Sequence, residues 1–170
     1  MRNQTSGFTL LELLVVIAII GILAAIVISS VSNARQGAFE AKAQQDMRNV
    51  HNALLLYQLN NGEFPPDADR NVPSGLEQYL SGGAWPEAPW PRSMYDWDNW
   101  ENPDEPGQKI YQISVRFCPL GDPTNCNFPE DSWANSFDYH SAVYYCIEGS
   151  CRAHVSRPVT HPAYCINCSN

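Results

Sequence analysis

Residues 7 to 31, GFTLLELLVVIAIIGILAAIVISSV, form an apolar run long enough to cross a bilayer, interrupted by one acid, Glu12. Such a segment needs lipid or a bundle of helices around it. A lone carboxylate inside it costs roughly 2.5–3.5 kcal/mol on insertion scales for comparable charges, so it points to a function and a partner. From Phe8 to Asn61 there is no proline, and the glycines are Gly21 and Gly37. That permits one helix of roughly 80 Å at about 1.5 Å per residue. Its first half is apolar all round. After Ser29 the charged residues Arg35, Glu40, Lys42, Asp46 and Arg48 alternate with alanines, and Met47, Val50, Leu54 and Tyr57 recur at spacings of three and four. That stripe predicts docking onto a sheet. Asn60-Asn61-Gly62 stops the helix, and Pro65-Pro66 prevents a restart.

Beyond the helix, 75–80 reads as a short helix inside a connecting loop. Residues 85–107, rich in Trp, Pro and Asp, read as irregular structure. Strands are expected over 109–117, 141–147 and 152–155. Tyr111, Ile113 and Val115 alternate with Gln112, Ser114 and Arg116, the period-two pattern of a half-buried strand. The expected fold class is α+β: a long N-terminal helix, membrane-spanning then amphipathic, on a small antiparallel sheet with a disulfide-rich C-terminal region. The expected segments are 1–7, 8–31, 32–61 and a head over 62–170, divided into a loop (62–107) and a β/disulfide region (108–170).

Acid outweighs base, 18 residues to ten, most strongly between Glu63 and Glu105. No basic footprint exists, so direct nucleic-acid binding is not expected, and the acidity suits a soluble exported head. Six cysteines, Cys118, Cys126, Cys146, Cys151, Cys165 and Cys168, all follow residue 117. An even number confined to the exported part predicts disulfides, with nearest-neighbour pairing the simplest of the possible sets. A zinc site from Cys165 and Cys168 with His154 or His161 matches no finger spacing well, and the compartment favours disulfides.

Asp96, Asp98, Asn99, Glu101 and Asp104 cluster hard oxygen ligands of the kind calcium prefers. No glycine takes the hinge position of an EF-hand, and the same residues suit a solvated loop pinned by aromatics. Trp85, Trp90, Trp97 and Trp100 read as a satellite core, or as platforms for sugars. No nucleophile elbow, phosphate loop or Ser/His/Asp signature marks an enzyme; His140 and Ser141 are merely adjacent.

The short hydrophilic leader ending in Gly7, then Phe8 and an acid four positions later, resembles the N-terminus of type IV pilins and type II secretion pseudopilins. The run from Tyr57 to Pro66 is similar to pseudopilins as well. The resemblance rests on 7–35, extends to 66 and thins beyond. It implies that a prepilin peptidase cuts between Gly7 and Phe8 and methylates Phe8. It implies a homopolymeric filament in which Glu12 receives the Phe8 amine of a neighbour and so sets axial register. Further implied partners are an inner-membrane platform protein and a cytoplasmic assembly ATPase. The implied location is the cytoplasmic membrane, spanned once, then a periplasmic or extracellular filament. A calcium site in the head is implied for the major pseudopilins.

Many family members have proline where this chain has Ser29, so Gly21 is left as the weak point of the helix or as a close-packing position beside Ala18, Ala24 and Ala25. Competing readings are an ordinary secretory signal cut near Ser32-Asn33-Ala34, against which the length of the run and Glu12 argue, and a single-pass tethered binding or adhesin protein that never polymerises.

Overall fold

The computed structural model describes residues 9–153, 156–157 and 161–168, with Ser29 described by its backbone alone. Gly7, Phe8, His154 and Val155 therefore lie outside the described residues. Helix α1 spans Leu10–Asn61, 52 residues, as the absence of proline allows. It ends where Gly62 takes a φ of +86° and donates its N–H to the Gln58 carbonyl at 2.7 Å, a glycine C-cap.

The chain divides into two compact units, Met1–Ala38 and Phe39–Asn170. In the first, the described residues beyond Thr9 are all helix. Leu10, Leu13, Ile17, Ile20, Ile28 and Val31 are all exposed, Leu10 at 87%. A Cβ built on Gly21 or Gly37 meets nothing within 4 Å. The segment is long and apolar enough to cross a membrane.

In the second unit the helix stripe packs on a four-stranded sheet in the order β1 (Met94–Glu101), β2 (Lys109–Arg116), β3 (Ala142–Glu148), β4 (Tyr164–Cys165). The first three strands are antiparallel; β4 runs parallel to β3, pairing Val143 with Tyr164 and Tyr144 with Cys165. Ala43, Met47, Val50, Ala53 and Leu54 are buried with Tyr95, Trp97, Ile113, Val115 and Val143. The docking stripe read from the sequence is thus the seam of the core. Each such aliphatic side chain contributes about 1.5–3 kcal/mol when fully buried. Ring contacts extend the seam: Phe64 lies 4.6 Å from Tyr111, and Trp90 lies 5.6 Å from Phe117.

Three expectations change. Residues 94–101 are not irregular but form an edge strand, because Tyr95 and Trp97 alternate with Asp96 and Asp98 in step with β2. The 75–80 segment is only a 3₁₀ turn, Glu77–Tyr79. Arg152 and Ala153 are not strand, and the remainder of that candidate lies outside the described residues. All six cysteines pair with their nearest neighbours, 118–126, 146–151 and 165–168.

Gly149, just after β3, has a φ of +83°, and a Cβ there would sit 2.5 Å from the Lys109 carbonyl oxygen. Gly149→Ala is therefore expected to lower unfolding stability by about 1–3 kcal/mol, read as a lower denaturation midpoint with an unchanged slope.

Candidate assembly site

The N-terminal end of α1 is closed by its own side chains. The Thr9 N–H and Oγ1 both donate to Glu12 Oε2, at 2.9 and 2.8 Å, and the Glu12 N–H donates back to Thr9 Oγ1 at 3.2 Å. This is a capping box, worth about 0.5–2 kcal/mol to a helix. The sequence reading gave Glu12 an assembly role and missed its local one; the Thr-x-x-Glu pattern ahead of an apolar run was the available signal. Among the described residues, both contacts to the carboxylate use Oε2.

In the head, the five oxygen-bearing residues considered for calcium do not converge. Strand alternation sends Asp96 and Asp98 to the face of the sheet away from the core seam. There Arg116 takes both: Nε donates to Asp96 Oδ2 at 2.9 Å and Nη2 to Asp98 Oδ1 at 3.2 Å. Asp98 Oδ2 also accepts from Gln112 Nε2 and Ser114 Oγ, each at 3.0 Å. Asn99 instead donates its side chain to the Pro65 carbonyl at 2.7 Å. Glu101 is exposed at the strand end, and Asp104 pairs with Arg152 at 2.6 Å. A calcium cage needs six to eight oxygens around one point. These residues do not fit one, because internal cations already hold three of the four carboxylates.

The same face corrects the half-buried reading of β2. Gln112 and Ser114 have no exposed surface and Arg116 has 5%. The loop at 67–70 and the segment at 152–153 cover them. Arg70 N–H donates to Asp96 Oδ1 at 2.8 Å, Gln112 exchanges two bonds with the Arg152 backbone, and Arg116 Nη1 donates to the Ala153 carbonyl. Burial works against the Arg116 charge, but Asp98 and Asp96 outweigh it and raise its pKa. Burial, then the Asp98 charge, raises the pKa of Asp96 against the pull of Arg116. Asp67 sits beside them. Burial pushes its pKa up to about 6, helped by Asp98, Asp96 and Asp69 and opposed by the Asn99 N–H it accepts at 2.8 Å.

Other candidates resolve into packing. Trp97 is fully buried and donates its Nε1–H to the Pro65 carbonyl at 3.0 Å, so it offers no face to a sugar. Trp100 is half-buried and donates to Asp98. His51 lies 5.6 Å from the Tyr145 ring, and burial lowers its pKa. His161 Nε2 is 3.0 Å from Asp138 Oδ1 and 3.4 Å from Ser141 Oγ. Acid and hydroxyl meet the same ring nitrogen, so no base is both oriented by the acid and aimed at the serine.

Comparison with known proteins agrees with this architecture. The prokaryotic N-terminal methylation motif matches residues 2–28. The type II secretion system core protein G of Vibrio cholerae serotype O1 is 39% identical over 141 residues, covering 83% of this chain and 73% of that one. The chain belongs to the core protein G family. The core protein G of Aeromonas hydrophila is 37% identical over 100 residues, 52% of this chain and 70% of its own length. That of Pseudomonas aeruginosa is 35% identical over 118 residues, 64% and 79% respectively. No solved structure matches. As a core protein G family member, the chain is a pilin-like structural subunit.

Two outcomes follow for the head. Arg116→Met strands two buried carboxylates and is expected to cost about 3–5 kcal/mol in denaturant unfolding, with partial recovery on adding Asp96→Asn and Asp98→Asn. For Asp67, the folded pKa lies above the unfolded value of about 3.9, so its contribution to stability is full below about pH 4 and is lost as pH rises through about 6. Asp67→Asn is expected to match the parent near pH 4 and exceed it by pH 7. The expected gain is of order 1 kcal/mol, because the residue is exposed and solvent screens it. Thermal midpoints of both proteins across that range check the sign.

Proposed function

We propose that this chain is the main subunit of a type II secretion pseudopilus. It is made as a precursor in the cytoplasmic membrane, cut between Gly7 and Phe8, methylated on Phe8, and polymerised through α1. The observation that carries this reading is Glu12 at the start of an unburied apolar helix, in a chain that aligns with most of a core protein G. The head supports it by using its own acids and tryptophans internally, which leaves the exposed helix as the surface without cover.

The physics of assembly follows from the groups at the helix start. Cleavage frees an amine at Phe8, cationic at neutral pH with a reference pKa near ~7.7–8. In a bundle of low dielectric, that amine and the Glu12 carboxylate of an adjoining subunit attract strongly, and either alone is penalised. Thr9 holds the carboxylate at the helix terminus and fixes where the neighbour's amine has to arrive. The pairing therefore sets axial register while the leucine and isoleucine faces supply the contact area. The supporting partners are a prepilin peptidase, an inner-membrane platform protein and an assembly ATPase, and the filament stands in the periplasm.

Intact-mass measurement tests processing. Mature protein is expected to begin at Phe8 with one added methyl and six fewer hydrogens than the fully reduced chain. Glu12→Ala is expected to be cut normally and stay in the membrane, while its share of sheared filaments drops about tenfold or more, the factor that about 1.4 kcal/mol represents. Material still beginning at Met1, or beginning near Arg35, overturns the processing. Filaments at normal yield from Glu12→Ala overturn the role of the acid.

A further inference from the structure

Strands β3 and β4 bring two separate disulfides face to face. Cys146 lies near the end of β3 and is bonded to Cys151 across the turn at Gly149. β4 runs parallel to β3 and pairs Tyr144 with Cys165, which is itself bonded to Cys168. That pairing sets Cys168 Sγ 3.2 Å from Cys146 Sγ, and Cys165 Sγ 3.9 Å from it. A disulfide bond is about 2.05 Å long, so a new bond between Cys146 and Cys168 asks for about 1.2 Å of movement. The third pair is placed differently: Cys126 Sγ meets the Pro123 carbonyl at 3.4 Å.

Disulfides exchange when a thiolate attacks one sulfur of the bond, and access, leaving group and nearness decide which sulfur that is. Access differs along this set. Cys168 is exposed, Cys146 and Cys165 are half-buried, and Cys151 is buried. A thiol from outside therefore enters at Cys168. Cys165 is the sulfur prepared to leave. The Cys168 N–H donates to it at 2.9 Å, and such a donor favours the thiolate. Asn167 holds the receiving end in place, accepting from the Cys146 N–H and donating to the Cys146 carbonyl, both at 2.7 Å.

We propose that these four cysteines form an exchange relay, in which a dithiol that opens Cys165–Cys168 moves the second crosslink from Cys146–Cys151 to Cys146–Cys168. The first thiolate of the dithiol attacks Cys168 Sγ, and Cys165 departs as thiolate. The second thiol of the dithiol attacks the mixed bond, closes the dithiol into its own disulfide, and releases the Cys168 thiolate. That thiolate attacks Cys146 Sγ; the Cys146–Cys151 bond breaks, and Cys151 departs with the electron pair and takes a proton. In total the dithiol gives up two electrons and two protons, and the chain keeps one disulfide with thiols at Cys151 and Cys165. The exchange rewires the head. The tail becomes tied to β3, and the turn that lays Arg152 and Ala153 over the polar face loses its crosslink. The partner that fits is an exported dithiol oxidoreductase acting at the exposed Cys168. The inference rests on the cysteines alone and is independent of the filament reading.

The test treats full-length oxidised protein in detergent with an equimolar amount of dithiothreitol, quenches with excess N-ethylmaleimide, and digests with trypsin without further reduction. Trypsin cuts after Arg116 and Arg152 but not at Arg157, which precedes Pro158. Cys146 and Cys151 therefore fall in fragment 117–152, and Cys165 and Cys168 in fragment 153–170. Untreated protein gives the two fragments apart. Treated protein is expected to give them joined through Cys146–Cys168, with alkyl groups on Cys151 and Cys165 and with Cys118–Cys126 intact. Cys165→Ser is expected to join the fragments with no reductant, while Cys168→Ser keeps them apart with Cys165 alkylated. The same treatment in guanidinium loses the preference, because nearness in the fold creates it. The parent result stands whether or not the variants fold. Separate fragments with Cys165 and Cys168 both alkylated, a join through Cys165, Cys118 or Cys126, or an unchanged preference in guanidinium overturns the proposal.

Discussion

The packing of Ala43, Met47, Val50 and Leu54 against Trp97, Ile113, Val115 and Val143 is the contact on which the head depends. It commits one face of the sheet to the helix. The other face has no second helix among the described residues, yet it is not left to solvent. Arg116 lies across it, gathering Asp96 and Asp98, and Gln112 and Ser114 complete the bonds. A small head with one apolar seam has limited area to bury. Its second layer is polar and hydrogen-bonded, and such a layer holds geometry more than it adds stability, because desolvation offsets most of the ionic attraction. The loop at 67–70 and the chain at 152–153 are held by that layer, so segments far apart in sequence depend on one guanidinium.

The legible parts of the sequence were those governed by local period and by breakers. Helix α1, its end at Asn61, its buried stripe, β2 and β3 all follow from spacing, proline and glycine. β1 was hidden because tryptophan, aspartate and asparagine between prolines look like loop, whereas alternation alone would have placed Tyr95 and Trp97 inward. The polar face of β2 was misjudged for a related reason. Period-two alternation separates two faces but does not say what covers the polar one, and here a distant arginine and two loops do. The same holds for the oxygen-rich stretch from Asp96 to Asp104: composition reveals oxygen ligands but not the cations folded onto them, here Arg116 and Arg152. The cysteine pairing was legible as the simplest set; the proximity of two pairs was not, because it depends on a two-residue parallel strand.

Glu12 shows how one side chain serves two levels of structure. Within a single chain its carboxylate accepts the Thr9 N–H and hydroxyl at a helix start, where a negative charge is also favoured by the helix dipole. A helix end in lipid has no water to do this. Under the proposed assembly, the residue that caps the helix is also the one that receives a neighbour's amine. Replacing it removes both contributions, and Thr9→Val separates them, since that change weakens the cap while leaving the charge.

The distribution of disulfides fits this division of labour. They close loops of sequence separation 8, 5 and 3. Chain-entropy arguments give such short loops about 1.6–2.5 kcal/mol apiece, less than longer crosslinks would supply. They do not tie the tail to the helix or to β1. What they fix is local direction: the turn after β3 and the turn after β4. Among the described residues beyond β3, Tyr164 and Ile166 pack against the core, Tyr164 stacking 4.6 Å from Trp133. Local direction is what a chain lacking apolar anchors needs most, and covalent bonds between near neighbours supply it without demanding more core.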